Sequence, residues 1–186
     1  MSERRSRKEH RLANYDYSQN GAYFVTICTK NMVHYFWDEN TNPVGAHSVR
    51  PQSKLQYNTK IRLSEYGKAV KESFEKVSEY YPMVYFDKYV IMPNHIHVII
   101  SISTDICEDK SGRTECAPTL SQIIKNLKEN VTRKIGFSLW QKSFYDRVLR
   151  NNREYLVTWQ YIENNPINWL NGIEEDEFYK GEIYND

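Results

Sequence analysis

Cysteine is scarce in this sequence of 186 residues: there are three cysteines, an odd number, and no two of them form a Cys-x-x-Cys pair. This pattern indicates neither a disulfide framework nor a zinc knuckle, and it makes a reducing, cytoplasmic location the default expectation. Cys107, Asp109 and Cys116 lie in one polar stretch, residues 103–118. We interpret this stretch as a loop rather than a metal site, because the spacing supports no further ligand.

Long apolar runs are also absent. No run approaches the roughly 18 residues that a membrane-spanning helix requires, and the first residues are polar and basic. We therefore expect neither a membrane span nor a secretory signal. The length suits one domain with a substantial core. We predict a basic arm over residues 1–20, one folded domain over residues 21–170 and an acidic tail over residues 171–186.

An excess of charge of one sign is missing as well, since the formal net charge is only +1. This argues against a uniformly basic nucleic-acid binder, although local basic patches can still bind phosphate. A helix predicted after residue 119 carries Lys125, Lys128 and Arg133 away from its apolar stripe. A solvated helix face and a phosphate-contacting face are equally compatible with that pattern.

Residues 89–102 are the most informative stretch. His95 and His97 lie two apart in a run rich in β-branched residues, a composition that favours a strand. Successive side chains of a strand point to opposite faces, so the two imidazoles share one face and can reach one cation. The simpler alternative is a histidine pair that makes ordinary hydrogen bonds. Taken alone, the pair favours that alternative.

The other elements follow from periodicity and turn signals. Ser64 caps a first predicted helix that Pro82 ends, and Thr119 or Ser121 caps a second that Gly136 ends. The predicted strands are residues 21–29, 85–92, 95–102 and part of 140–150. This order predicts an α+β fold, a ferredoxin-like or RRM-like antiparallel sheet with helices on one face and a further C-terminal helix.

The C-terminal helix is predicted over residues 153–164, with its end at Asn165-Pro166. Within it Tyr161 and Asn165 are four apart, so the phenol and the amide lie on one side. The residues predicted to anchor this helix on the sheet are Leu156, Trp159 and Ile162.

These pieces could support phosphodiester chemistry. Two neutral imidazoles and a side-chain oxygen suit Mg²⁺, Mn²⁺ or a similar ion and leave positions for substrate oxygens. Such an ion polarises a phosphodiester, and a tyrosine nearby can attack the phosphorus. A phenol pKa near 10 makes tyrosine a poor nucleophile unless the metal or a base assists. The chain has 15 tyrosines, and composition cannot choose among them.

Three segments together resemble the single-tyrosine HUH transposases, and most closely the REP-associated tyrosine transposases of bacteria. They are Met-Pro-Asn-His-Ile-His-Val-Ile-Ile (92–100), Trp-Gln-Lys-Ser-Phe-Tyr-Asp-Arg-Val-Leu-Arg (140–150) and Tyr-Ile-Glu-Asn-Asn-Pro-Ile-Asn-Trp (161–169). The segments 11–17 and 21–29 also resemble the start of the group. Each motif is short, but the ordered set is specific and extends over nearly the whole chain to Trp169.

The resemblance implies a mechanism. His95 and His97 would be the paired metal ligands, Asn165 a third ligand where relatives often have glutamine, and Tyr161 the nucleophile on a catalytic helix. Tyrosine would attack single-stranded DNA, leaving a 5′-phosphotyrosine and a free 3′-OH, and a different 3′-OH would rejoin the strands. The implied cofactor is Mg²⁺ or Mn²⁺ alone. The implied substrate is a palindromic, REP-like hairpin in a bacterial cytoplasm, handled by a monomer or a homodimer.

Several alternatives stay open. Tyr145 and Tyr155 compete with Tyr161 as nucleophile, and only the motif match favours Tyr161. The residues predicted to contact DNA are Arg147, Arg150, Arg153, Lys125, Lys128 and Arg133, for which an ordinary solvated surface is the alternative. Two other functions are a domesticated module that binds nucleic acid without cleaving it, and a metallophosphoesterase in which water attacks.

Overall fold

The computed structural model describes residues 16–17, 19–38, 61–103 and 118–172. Most of the predicted arm and tail, and the stretch with Cys107, Asp109 and Cys116, lie outside the described residues. The elements in chain order are β1 (Gly21–Cys28), α1 (Glu65–Tyr80), β2 (Val84–Ile91), β3 (His95–Ile102), α2 (Leu120–Ile135), β4 (Tyr145–Leu149) and α3 (Asn152–Leu170). None of the described helices is both long enough and apolar enough to cross a membrane.

The four strands form one antiparallel sheet in the order β2-β3-β1-β4. Along the chain, α1 connects β1 to β2 and α2 connects β3 to β4. This is the ferredoxin-like arrangement that the sequence predicts. The two central strands are β1 and β3. Their register places Cys28 opposite His95 and Thr26 opposite His97.

The two faces of the sheet carry different layers because strand side chains alternate. Ile96, Val98 and Ile100 are fully buried in the main core, which α1 and α2 cover. The helix α3 covers the opposite face through a smaller cluster, whose buried members are Phe24, Ile99, Leu149 and Ile162. The alternation therefore places His95 and His97 on the α3 face.

The ends of α1 and α2 confirm the capping residues read from the sequence. Ser64 accepts a hydrogen bond from the Gly67 amide at the start of α1. Thr119 and Gln122 form a reciprocal capping box at the start of α2. Gly136 ends α2 with φ of 84°, a left-handed conformation that glycine adopts without strain.

The C-terminal helix differs from its prediction. It continues through Pro166 to Leu170, so the predicted end at Asn165-Pro166 is wrong. Proline lacks the N–H that would bond to the Ile162 carbonyl, but the last turn has tertiary contacts of its own. The Trp169 ring centroid lies 5.6 Å from that of His34 and 6.0 Å from that of His95.

Two of the three residues predicted to anchor α3 do so. Ile162 is buried in the smaller cluster, and Trp159 packs against that cluster. Leu156 is 55% exposed, so its predicted anchoring role is wrong. It lies on the side of the helix that faces away from the sheet.

Candidate active site

The two histidines are buried, and their side chains face each other. His95 is 2% exposed and His97 0%, and their Nε2 atoms are 3.0 Å apart. Each ring is held at its other nitrogen by a neighbour. The distance from His95 Nδ1 to Asn94 Oδ1 is 2.7 Å, and that from His97 Nδ1 to Thr26 Oγ1 is 2.9 Å. Both rings are therefore fixed with Nε2 facing Nε2.

Burial keeps His97 neutral. It lowers the pKa of His97 well below its usual value, and the neighbouring His95 lowers this pKa further when it is charged. The Phe24 ring stacks against the imidazole, with centroids 5.4 Å apart, and contributes to the burial. A neutral imidazole is the form that binds metal ions.

Tyr161 reaches the same nitrogen from α3. Its phenolic oxygen is 3.3 Å from His97 Nε2, and its ring lies edge-on to Phe24 at 5.9 Å. A neutral imidazole has one lone pair. In the tautomer with its proton on Nδ1, His97 Nε2 can accept the phenolic hydrogen bond or bind a metal ion, but it cannot do both at once.

Asn165 lies between Tyr161 and Trp169 on α3, at intervals of four residues, so the three side chains share one face of the helix. Tyr161 contacts His97, and the Trp169 ring lies near His95, which places this face over the histidine pair. Asn165 is 1% exposed, and within the described part of the chain its Oδ1 has no hydrogen-bond partner. A buried oxygen without a donor is costly, and a cation would compensate it.

These donors fit a divalent cation. Two nitrogens in adjacent positions of an octahedral shell of radius about 2.1 Å are about 3.0 Å apart, which matches the observed separation of 3.0 Å. Among the described residues, no group of three or more His, Cys, Asp or Glu side chains surrounds one such position. The remaining ligands would therefore be other oxygens, from Asn165, water or substrate.

Tyr155 is poorly suited to act as the nucleophile. Its hydroxyl donates a hydrogen bond to Asp87 Oδ2 at 3.1 Å, and burial, together with the charge and hydrogen bond of Asp87, raises the pKa of Tyr155 to about 12. The same carboxylate oxygen accepts a hydrogen bond from Ser101. Tyr155 thus ties α3 to β2 and β3. Tyr145 lies opposite Thr26 on β4 and packs against the smaller cluster.

Three of the residues predicted to contact DNA lie on β4 or at its junction with α3. Arg147 is half-buried and lies opposite Phe24, on the histidine face of β4. Arg150 and Arg153 are exposed at the junction of β4 and α3. Arg147 is thus on the same face as the histidine pair, whereas Arg150 and Arg153 lie toward the other end of the sheet, where Leu149 pairs with Ala22.

The other three lie on α2, beyond the opposite face of the sheet. Lys125 is 3.7 Å from Glu129. Lys128 donates to the carbonyl oxygens of Gln141 at 2.9 Å and Ser143 at 3.0 Å. Arg133 is exposed. The structure therefore does not bring these three residues to the histidine pair.

Three residues of the site escaped the sequence analysis: Thr26, Asn94 and Trp169. Asn94 directly precedes His95 in the His-x-His motif, and this adjacency was the signal that could have identified it. Trp169 is eight residues after Tyr161, but the helix end predicted at Pro166 hid the relation. Nothing local identifies Thr26, because its pairing with His97 depends on the register between β1 and β3.

Comparison with known proteins gives two sequence relatives, both from Haemophilus influenzae (strain ATCC 51907 / DSM 11121 / KW20 / Rd). An uncharacterised protein is 31% identical over 192 residues, which cover 93% of this chain and 93% of the relative. A protein named "Putative REP-associated tyrosine transposase" is 21% identical over 166 residues, which cover 84% of this chain and 77% of the relative. No family model matches the chain.

A solved structure shares the fold. It is a REP-associated tyrosine transposase bound to a REP hairpin, with a TM-score of 0.51 and 18% sequence identity. The match covers 86% of this chain and 73% of that chain. At this identity the likeness shows the fold alone.

Proposed function

We propose that the chain is a REP-associated tyrosine transposase, like the 21% identical relative of that name, and that it is a metal-dependent enzyme that cleaves single-stranded DNA and transfers the strand. One observation carries the proposal. The phenolic oxygen of Tyr161 is 3.3 Å from His97 Nε2, which is itself 3.0 Å from His95 Nε2. A tyrosine hydroxyl and two imidazole nitrogens thus form a chain of contacts, each within 3.3 Å of the next.

Tyr161 is the proposed nucleophile. Its phenolic oxygen forms a bond to phosphorus and the bond from phosphorus to the 3′ oxygen breaks, which leaves a 5′-phosphotyrosine and a 3′-OH. The phenolic proton passes to water in the site, and the leaving 3′ oxygen takes up a proton. Attack by a different 3′-OH reverses these steps and joins two strands. No nucleotide cofactor is needed, because the covalent link to tyrosine preserves the phosphodiester energy.

His95, His97 and Asn165 are the proposed holders of Mg²⁺ or Mn²⁺. When bound, the ion would polarise the scissile phosphodiester and neutralise charge on its oxygens. Thr26 and Asn94 hold the two imidazoles so that their Nε2 atoms stay directed at one position. The apolar wall formed by Phe24 excludes water from one side of this position.

The proposed substrate is hairpin DNA with an adjoining single strand. The related transposase of known structure was bound to a REP hairpin, and we extend that substrate class to this chain. We propose that Arg147, Arg150 and Arg153 hold phosphates of this DNA.

The test is a denaturing gel of purified protein with a labelled single-stranded hairpin taken from the flanks of its own gene, with Mn²⁺ or Mg²⁺. Wild type should give a slower, protease-sensitive DNA band. Tyr161→Phe and the double variant His95→Ala/His97→Ala should both lose it. Tyr155→Phe is the matched control and should keep it, because that phenol donates to Asp87.

The competing functions give different results on the same gel. Cleavage without a protein-linked band, unaffected by Tyr161→Phe, would indicate a phosphoesterase in which water attacks. Binding of the hairpin without cleavage under either metal would indicate a domesticated binding module. A protein-linked band that survives Tyr161→Phe and is lost in Tyr145→Phe would transfer the nucleophilic role to Tyr145.

A further inference from the structure

We propose that Asn94 is a positioning residue that fixes His95 in the tautomer with its proton on Nδ1. In this tautomer His95 Nε2 carries a lone pair directed at the proposed metal position. The inference rests on the metal-binding role proposed above for His95 and His97. It concerns a side chain that contacts His95 at Nδ1, the ring nitrogen that does not face His97.

The direction of the hydrogen bonds follows from the chemistry of the partners. The side-chain nitrogen of Asn94 is 3.3 Å from the carbonyl oxygen of Met32, and a carbonyl oxygen can only accept. The nitrogen of the amide therefore faces Met32. The oxygen of the amide faces His95 Nδ1 at 2.7 Å, and since it too can only accept, His95 Nδ1 must donate.

A neutral imidazole carries one proton, so a proton on Nδ1 leaves Nε2 without one. The opposite tautomer would direct a lone pair of His95 Nδ1 at the lone pairs of Asn94 Oδ1. It would also place a proton on Nε2, between the ring and the metal position. Asn94 thus selects the only neutral form of His95 that can act as a ligand through Nε2.

Asn94 itself is held firmly. It is 5% exposed, and its backbone carbonyl accepts a hydrogen bond from the Thr29 amide at 2.9 Å, while the Thr29 hydroxyl lies 3.0 Å from the same oxygen. Met32 lies in a short 3-10 turn, Lys30–Met32, that follows β1. Asn94 therefore links the end of β1 and this turn to the ring of His95.

The first experiment is ¹⁵N NMR of histidine-labelled, metal-free protein, which distinguishes protonated from unprotonated ring nitrogens. Wild type should show His95 with its proton on Nδ1. Asn94→Asp keeps an acceptor for His95 but cannot donate to Met32, and it should retain this tautomer. Asn94→Ala should show a mixture of tautomers. Asn126→Ala is the matched control, because Asn126 bonds to Tyr81 away from the site.

The second experiment is a titration of the same proteins with Mn²⁺. Asn94→Ala should bind Mn²⁺ about 10–100-fold more weakly than wild type, the usual cost of losing a partner of a metal ligand. Asn94→Asp should bind within a few-fold of wild type or more tightly. If Asn94 only supported the 3-10 turn through Met32, the two variants would weaken binding equally, and that result would overturn the proposal.

Two further outcomes would also overturn it: an unchanged His95 tautomer in Asn94→Ala, or loss of the tautomer in a folded Asn94→Asp. If Asn94→Ala fails to fold, Asn94→Asp alone still decides. Neither readout involves DNA. A wild type that fails to cleave DNA would count against the proposed function and would leave the tautomer result intact.

Discussion

Tyr161 and His97 meet at 3.3 Å between the phenolic oxygen and Nε2, although they are 64 residues apart in the chain. His97 Nε2, which the phenolic oxygen contacts, is also the nitrogen that faces His95. When the proton of His97 is on Nδ1, the tautomer that can bind a metal ion through Nε2, the phenol and a cation compete for one lone pair. Metal binding would release the phenolic oxygen from its partner and leave it available beside the ion.

This competition predicts that Tyr161→Phe binds Mn²⁺ more tightly than wild type while losing the protein-linked DNA band. Removal of one neutral hydrogen bond, of net value about 0.5–1.5 kcal/mol, corresponds to a gain of roughly two- to tenfold in affinity. Isothermal titration calorimetry on the metal-free proteins would measure it. Weaker binding by Tyr161→Phe would mean that the phenol is itself a ligand.

The variant Asn165→Leu should weaken metal binding without a large change in the stability of the fold. In the described part of the chain the Asn165 Oδ1 has no hydrogen-bond partner, so replacing the amide by an apolar group of similar size removes a desolvation cost. We expect the free energy of unfolding of the metal-free protein to change by less than about 1 kcal/mol, while Mn²⁺ affinity falls. Urea denaturation and calorimetry would check the two parts. A large loss of stability without metal would instead assign Asn165 a structural role.

The burial of His97 predicts a pH dependence of stability. Its pKa is lowered in the folded state, so the unfolded chain, with a histidine pKa of about 6.5, binds more protons below that pH. The contribution is therefore present above about pH 6.5 and is lost as the pH falls, by at most about 1.4 kcal/mol per pH unit. Urea denaturation with a chelator at pH 7.5 and pH 5.5 should show the loss. His97→Gln should show a smaller one, and an equal loss would assign the effect to other groups.

The burial of Lys128 predicts a second pH dependence of stability, at alkaline pH. Burial lowers the pKa of Lys128 from 10.5 to about 8, so between these values the unfolded chain holds more of this proton than the folded chain. Stability should therefore rise between pH 8 and pH 9.5, and Lys128→Met should reduce the rise. Thermal unfolding across this interval would measure it. Lys125→Met is the matched control, since the Lys125 side chain is 73% exposed, and a similar reduction there would contradict the assignment.

Local chemistry explains which parts of the fold could be predicted. The caps at Ser64 and Thr119 depend on residues three positions apart, and the shared face of His95 and His97 depends only on strand alternation. The shared face of Tyr161 and Asn165 depends only on helical spacing. Pro166 gave the wrong helix end because the loss of one hydrogen bond is a local signal, whereas the contacts of Trp169 that hold the last turn are not.

The sequence by itself determined the α+β class, the histidine pair on one strand face and the ordered motifs of the family, because each depends on neighbours along the chain. Tertiary structure alone decided that Thr26 holds His97, that Trp169 lies near His95, and that Tyr161 rather than Tyr155 faces the histidines. These relations depend on strand register and on how α3 lies across the sheet. Both are set by packing between segments far apart in the chain, which no local pattern encodes.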